Sequence, residues 1–291
     1  MSQAEINARL KRRVQDRAAL LVPGAANALA ARVIADCGFE ALYLSGAGVT
    51  NTFLGLPDLG FLSLPELVQH TEAIRDVVDL PIIVDGETGF GNAVNVHHTV
   101  RRLERAGASV LQLEDQAMPK RCGHFSGKEV VAAGEMVGKI KAAVDARRDE
   151  SFLVMARTDA RAVEGFAAAV DRAGRYAEAG ADILFVEAPE SIEEIERLPE
   201  QVPAPLMMNV VIGGRTPVMP LERLRGMGYA LVLYANAALQ GAVHGMQVAL
   251  RQLKEAGRLD EGGPVASFAE RQRLVQKKRF DELEHRYAGD G

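Results

Sequence analysis

The segment Gln116-Ala117-Met118-Pro119-Lys120-Arg121-Cys122-Gly123-His124-Phe125-Ser126-Gly127-Lys128 sets one of the chain's two cysteines among cations. Positive neighbours lower a thiol's pKa and make it a competent acid or nucleophile. Lys120, Arg121 and His124 are those neighbours for Cys122, and Gly123 and Gly127 let the segment hinge as a lid. The plainer alternative is a surface loop with an incidental cysteine. The other cysteine, Cys37 in VIADCGF, reads as packing on an apolar helix face.

Carboxylates make the second constellation. Asp85 and Glu87, Glu114 and Asp115, Asp159, and Glu187 each lie at or just beyond the end of a short apolar run, and Arg157 stands among them. Any one of them could simply cap a following helix. Gathered at one mouth they repel and call for a cation. Oxygen ligands without a His/Cys cluster suit Mg2+ or Mn2+ rather than zinc. Asp85 is the candidate direct ligand, with Glu87 and Glu114 reached through water. Arg157 can clamp a second carboxylate with two parallel hydrogen bonds. The Ser45-Gly46-Ala47-Gly48 turn leaves backbone N–H groups for a carboxylate or phosphate oxygen.

These residues act together only if the fold brings strand ends to one place. Eight short apolar runs are strand candidates: residues 19–23, 41–45, 81–85, 109–114, 152–157, 183–187, 205–210 and 231–234. PIIVD, FLVMA and ILFVE are apolar almost without a break, as strands buried on both faces are in a parallel sheet. Helical periods fill 26–36, 64–78, 94–106, 128–146, 162–179, 192–198, 221–227 and 239–254. Gly38, Gly107, Gly180 and Gly228 stand where these helices would stop, and DCGFEALYL, RAGASVLQL and EAGADILFV look like copies of one joint. Eight such units favour a closed (β/α)8 TIM-type barrel over an open doubly wound sheet. The barrel's active site would sit at the carboxyl ends of its strands, where the polar residues fall. The chain reads as one domain, 1–291, with 262–291 as a C-terminal helical extension. The sparse apolar residues of that tail suit packing on a neighbouring subunit or on its own barrel.

Composition narrows the function. With 291 residues, 48% hydrophobic and 25% charged, the chain can bury a large core. A net charge of −5 argues against a nucleic-acid or membrane-surface binder. No apolar run reaches the ~18 residues of a membrane span. Two cysteines make no disulfide scaffold and suit a reducing compartment. The start, MSQAEINARLKRRVQ, has no apolar signal segment, so the expected location is cytoplasmic.

The motifs YLSGAGVTNTFLGLPDLG, VDGETGFGN, LEDQ followed by KRCGH, ARTDA, VEAP and MNVVIGGRTP resemble the isocitrate lyase / phosphoenolpyruvate mutase superfamily over nearly the whole chain. KRCGH is specific for its carbon–carbon lyase branch. The length resembles the short members: 2-methylisocitrate lyase, 2,3-dimethylmalate lyase and the petal death protein type. The resemblance implies a Mg2+-dependent retro-aldol cleavage of a 2-hydroxy dicarboxylate to pyruvate and a carboxylic acid. It also implies a homotetramer whose last helix is swapped between subunits. Ser45, Gly46 and Ala47 match a substrate-carboxylate cradle, with Tyr43 beside it. Asp58, Asp85, Glu87 and Glu114 match an acidic set around the metal. Cys122, with Gly123 and His124, matches the acid/base thiol of a gating loop; Arg157, Glu187 and Asn209 match further active-site positions. The hydroxyl's base is left open between Tyr43 and a carboxylate. Two residues depart from the pattern: Glu87 stands where the family usually has Asp, and Ala47 replaces a common Gly. Gly213–Pro217 and Ala235 favour a dimethylmalate-like or broad 2-alkylmalate substrate. The alternatives are oxaloacetate hydrolysis or decarboxylation, phosphonate chemistry, which the cysteine opposes, and a non-catalytic dicarboxylate-binding barrel.

Overall fold

The computed structural model describes residues 1–123, 125, 127–202 and 204–288. His124 therefore lies outside the described residues. Eight strands alternate with helices: β1 (Leu20–Ala25), β2 (Leu42–Leu44), β3 (Ile82–Asp85), β4 (Val110–Glu114), β5 (Leu153–Thr158), β6 (Ile183–Val186), β7 (Met207–Asn209) and β8 (Leu231–Tyr234). The helices are α1 (Gln3–Gln15), α2 (Ala28–Asp36), α3 (Gly46–Val49), α4 (Leu64–Arg75), α5 (Ala93–Arg105), α6 (Ala133–Ala146), α7 (Ala160–Glu164), α8 (Phe166–Glu178), α9 (Ile192–Gln201), α10 (Leu221–Gly226), α11 (Ala237–Ala256), α12 (Phe268–Leu274) and α13 (Lys277–Tyr287). A π-helical turn, Thr50–Leu54, continues α3.

All strand pairs are parallel, in the order β6-β5-β4-β3-β2-β1-β8-β7. A single parallel bridge, Leu184 to Leu206, joins β6 to β7 and closes the ring. This is the expected (β/α)8 barrel. Helix ends fall at the glycines read from sequence, with Gly38, Gly107, Gly180 and Gly228 at φ of 81°, 96°, 103° and 83°. Only glycine takes that conformation cheaply after a helix.

Strand alternation divides the core in two. Leu42, Leu44, Ile82, Val84, Leu111 and Leu113 face the surrounding helices. Tyr43, Ile83, Val110, Met155, Phe185 and Leu233 fill the barrel interior. The amino-terminal end of the barrel is plugged by α1, whose Leu10 and Val14 belong to that interior cluster. A Ser2–Glu5 capping box starts α1.

Several sequence expectations need correction. The start of the chain, for which no element was expected, forms α1 over Gln3–Gln15. Residues 128–132 are not helical, because Ala117 N–H donates to the Glu129 carbonyl and Gln116 bridges Val130 at the base of the lid. The helix expected over 162–179 is interrupted at Gly165, whose φ of 94° and ψ of 171° leave the helical region. The tail's single expected helix breaks between α12 and α13 at Gln276, which has φ 55°. Cys37 is exposed, not packed: it caps the carboxyl end of α2, whose buried face holds only Ala31 and Ile34. The tail contacts its own barrel, where Arg273 grips Asp36 with two hydrogen bonds of 2.7 and 2.6 Å.

Candidate active site

Side chains two residues apart on a strand share a face. Each inward-facing core residue therefore predicts what stands at the mouth above it. Tyr43 leads to Ser45, Ile83 to Asp85, Gln112 to Glu114, Met155 to Arg157, Phe185 to Glu187, and Met207 to Asn209. The barrel turns apolar strands into a polar crown without changing their register.

The crown surrounds a cleft. Tyr43, Ser45, Ala47, Asp58 and Asp85 line one side, and Arg157, Glu187 and Asn209 the other. Phe185, Val211, Leu233 and Ala235 add an apolar wall. Cys122 and Gly123 close over it, so the lid lies in a shut position. The shut lid is tight: a Cβ at Gly123 would come within 2.4 Å of Glu187 Oε1 and 2.5 Å of Arg157 Nη2.

Lys120 was expected to form part of a basic environment for the thiol, and Lys128 closes the same segment. The structure buries them on carboxylates instead. Lys120 Nζ donates to Asp58 Oδ1 at 2.5 Å and lies 3.3 Å from Glu87 Oε1. Lys128 Nζ donates to Asp159 Oδ1 at 2.6 Å. Gln116 holds the Arg121 backbone from both sides, donating to its carbonyl at 2.8 Å and accepting from its N–H at 2.9 Å. Sequence showed these charges but not their direction.

Arg157 is fixed by the bidentate Asp159, at 2.9 Å to Nε and 3.0 Å to Nη2. Glu114 lies 3.3 Å from it and Glu187 3.8 Å. Burial would weaken the guanidinium's charge, but Asp159, Glu114 and Glu187 outweigh it and hold its pKa well above the usual value. Burial raises Glu114 well above the carboxylate range despite Arg157. Glu87 is pushed up to about 7, chiefly by burial, with Lys120 opposing. Asp159 is lowered, because Arg157 and Lys128 overcome its burial. Tyr43 is held well above 10 by burial and by Asp85; its hydroxyl donates to Gln112 Oε1 at 2.7 Å.

The expected N–H cradle is narrower than its glycines suggested. Ser45 N–H donates to the Ala25 carbonyl, Gly46 N–H to Asp85 Oδ2 at 3.3 Å, and Gly48 N–H to Ser45 Oγ at 3.1 Å. These bonds start α3. Ala47 sits in its first turn, where a helix offers the N–H no internal partner.

The four carboxylates expected around a metal all act on the Lys120 ammonium, whose burial would lower its pKa but which Glu114, Asp85, Glu87 and Asp58 hold above its usual value. Asp58 is engaged by Lys120 and Glu114 by Arg157. Among the described residues no three of His, Cys, Asp and Glu converge as ligands. That excludes a zinc-like cage there but suits Mg2+, which keeps most of its waters. Glu114 Oε1 is buried and accepts no hydrogen bond, and Glu87 Oε1 faces the Lys120 ammonium at 3.3 Å. Asp85 is oriented by Glu87 N–H at 3.1 Å and Gln112 Nε2 at 3.2 Å. Gly46 leaves room beside it, since a Cβ there would stand 3.2 Å from Asp85 Oδ2 and 3.3 Å from Glu87 Oε1. The donor set fits a hydrated divalent cation beside Asp85.

Sequence reading passed over Gln112, although a glutamine at an inward position of the apolar run VLQLE was the available signal. Asn236 also carries a buried side-chain oxygen with no hydrogen-bond partner, as Asn209 does.

The family model for phosphoenolpyruvate phosphomutase matches residues 10–254. A 2,3-dimethylmalate lyase of Eubacterium barkeri is 43% identical over 285 residues, covering 97% of this chain and 98% of its own. A 2-methylisocitrate lyase of Aeropyrum pernix is 47% identical over 248 residues, covering 85% of this chain and 80% of its own. The trigonal crystal structure of a 2,3-dimethylmalate lyase superposes with a TM-score of 0.92 at 31% identity, covering 100% of this chain and 98% of the other. With this barrel and these matches, the chain belongs to the phosphoenolpyruvate mutase/isocitrate lyase superfamily.

Proposed function

We propose that this protein is a carbon–carbon lyase that cleaves a 2-hydroxy di- or tricarboxylate of the 2,3-dimethylmalate or 2-methylisocitrate kind. The products are pyruvate and a carboxylic acid, propionate in the case of 2,3-dimethylmalate. One observation carries the reading: Cys122 and Gly123 line the same cleft as Arg157, Glu187, Asn209 and the Ser45–Ala47 turn. A thiol is thereby set opposite a cationic clamp in a closed space.

Mg2+, or Mn2+, held beside Asp85 would polarise the substrate's hydroxyl and carboxylate oxygens. The chain's own groups do the rest. A carboxylate of the crown takes the hydroxyl proton. Tyr43 is the poorer base, because burial and Asp85 raise its phenol further above neutrality. The electron pair freed at oxygen forms the C=O of pyruvate as the C2–C3 bond breaks. The bonding pair leaves with C3, which becomes an enolate-like dianion. Arg157 balances that charge, and its site is dry enough to make the contact strong. Cys122 gives its S–H proton to C3, and the closed lid keeps water from competing. The wall of Phe185, Val211, Leu233 and Ala235 suits an alkyl substituent.

The helix after β8, α11, supports a swapped oligomer. None of the twenty residues of α11 is buried, and Val243, Met246, Leu250 and Leu253 are exposed. A helix that leaves its own barrel with an apolar face bare suits a partner subunit, in a homotetramer of cytoplasmic type. Among the described residues no helix is long and apolar enough to cross a membrane.

The test is a panel of 2-alkylmalates, 2-methylisocitrate, isocitrate and oxaloacetate, followed for pyruvate, glyoxylate and oxalate. Pyruvate from a 2-hydroxy diacid is expected; oxalate from oxaloacetate alone would make the protein a hydrolase. Cys122→Ala should lower kcat by roughly 10²–10⁴-fold without changing thermal stability. A chelator should abolish turnover and added Mg2+ restore it. Activity that survives chelation overturns the cation reading.

A further inference from the structure

We propose that Lys128 is a positioning residue that ties the cysteine-bearing turn of the lid to Arg157 through Asp159. The proposal rests on the reading of Cys122 as a residue of this cleft. It assigns a task to a buried cation that the chemistry above does not use.

Lys128 closes the lid segment in sequence, five residues beyond Gly123. Its side chain is 2% exposed and that of Asp159 0%. Burying an ammonium is costly unless it is paired and hydrogen-bonded. Ordering a lysine adds a loss of rotamer entropy. A lysine that only solubilised the loop would stay in water and avoid both.

Its partners say what it is for. Nζ donates to the carbonyl of Gly123, the residue after Cys122, and to Asp159 Oδ1 at 2.6 Å. Asp159 in turn holds both Nε and Nη2 of Arg157. Gly123 rests against Arg157 Nη2 and Glu187, so closely that a methyl group there would collide with them. The loop of contacts is closed: lid turn to Lys128, to Asp159, to Arg157, and back to the turn. Asp159 is itself anchored, since its N–H donates to Asp115 Oδ1 at 2.9 Å. Asp115 also accepts from Thr158 at 2.7 Å and from Tyr176 at 2.8 Å. The lysine thus refers the lid to a rigid point of the barrel. It sets where the thiol stands relative to the guanidinium that balances the departing charge. Lys120 ties the lid's other arm to Asp58 and Glu87, on the side of Asp85. The two lysines bracket Cys122, and only the Lys128 tie reaches Arg157's partner among the described contacts.

Lys128→Met keeps the length of the side chain and removes the charge. The first readout needs no turnover: the alkylation rates of Cys122 and Cys37 by iodoacetamide, resolved by peptide mass. Cys37 is exposed whatever the lid does and serves as the internal reference. The expected result is a tenfold or greater rise at Cys122 with Cys37 unchanged. Asp159→Asn should raise Cys122 alkylation in the same way. The double variant should add little to either single one, as residues on one path do. With an active substrate, kcat should fall about 10²-fold, the usual cost of a misplaced group, while KM moves a few-fold. Lys128→Arg should recover part of both effects. Wild-type alkylation of Cys122 in Lys128→Met would overturn the proposal. So would an equal rise at both cysteines, which marks a loosened fold. If the wild type cleaves no diacid yet Cys122 alone becomes reactive, the tie stands and the lyase reading falls.

Discussion

At the amino ends of the strands, Leu10 and Val14 of α1 share one buried cluster with Leu20, Val22 and Leu231, and every one of these side chains is apolar. At the carboxyl ends, the same inward phase presents Ser45, Asp85, Glu114, Arg157 and Glu187. One barrel thus has a floor made by transfer of hydrocarbon from water and a mouth made by burying charge. The floor gains about 25 cal/mol for each Å² of apolar surface it hides. The mouth gains little, because desolvation consumes most of what its ion pairs return. The orphaned Oε1 of Glu114 remains a cost until something cationic binds, whereas Glu87 Oε1 already lies 3.3 Å from the Lys120 ammonium. The difference teaches where each kind of substitution should act. Changes at the floor should move stability and leave chemistry alone, and changes at the mouth should do the reverse.

Leu10→Ala probes the floor and carries the largest expected effect. Leu10 is 1% exposed inside a packed cluster. Its truncation should cost roughly 2–5 kcal/mol in denaturant unfolding. The kcat of the molecules that remain folded should be unchanged. A large loss of kcat at full folding would mean that floor and mouth are mechanically coupled. Gly123→Ala probes the mouth. Its new Cβ would collide with Glu187 and Arg157, which are held by other bonds, so the lid must ride outward. The expectation is a fall of about 10²-fold in kcat with the unfolding midpoint nearly unmoved. If the midpoint falls and kcat does not, the closed lid is a stabilising element and not part of the chemistry.

The same division explains what sequence could reveal. The strands were legible because PIIVD and FLVMA are buried on both faces and cannot be mistaken for amphipathic helix. The crown was legible because polar residues ending such runs have nowhere to go but the mouth. α1 was not: Ile6, Leu10 and Val14 make one narrow stripe among arginines, and nothing local says that a barrel end waits for it. Cys37 was misplaced for the opposite reason, since VIADCGF is apolar locally while the helix end it caps turns outward. Lys120 and Lys128 were visible as charges. Their burial depends on Asp58 and Asp159, which are 62 and 31 residues away in the chain. Spacing within a loop does not encode partners that far off.

Tyr43 stands on the seam between the two regions and offers the smallest and sharpest test. Its ring belongs to the interior cluster, and its hydroxyl reaches the cleft. The hydroxyl donates to Gln112 Oε1, and Gln112 Nε2 donates to Asp85 Oδ1 at 3.2 Å. Tyr43→Phe keeps the ring and deletes the first link. Gln112 Oε1 then lies buried without its donor, which should cost about 1 kcal/mol of stability. Asp85 keeps its backbone partners at Gly46 and Glu87, so Mg2+ affinity should change only a few-fold. The decisive measurement is the pH–rate profile. A phenol held well above 10 is a poor base near neutrality, so kcat should fall less than about tenfold and both limbs of the profile should keep their positions. A loss of 10²-fold or more with the limb of the base displaced would return the hydroxyl proton to Tyr43 and move the chemistry one layer down into the barrel.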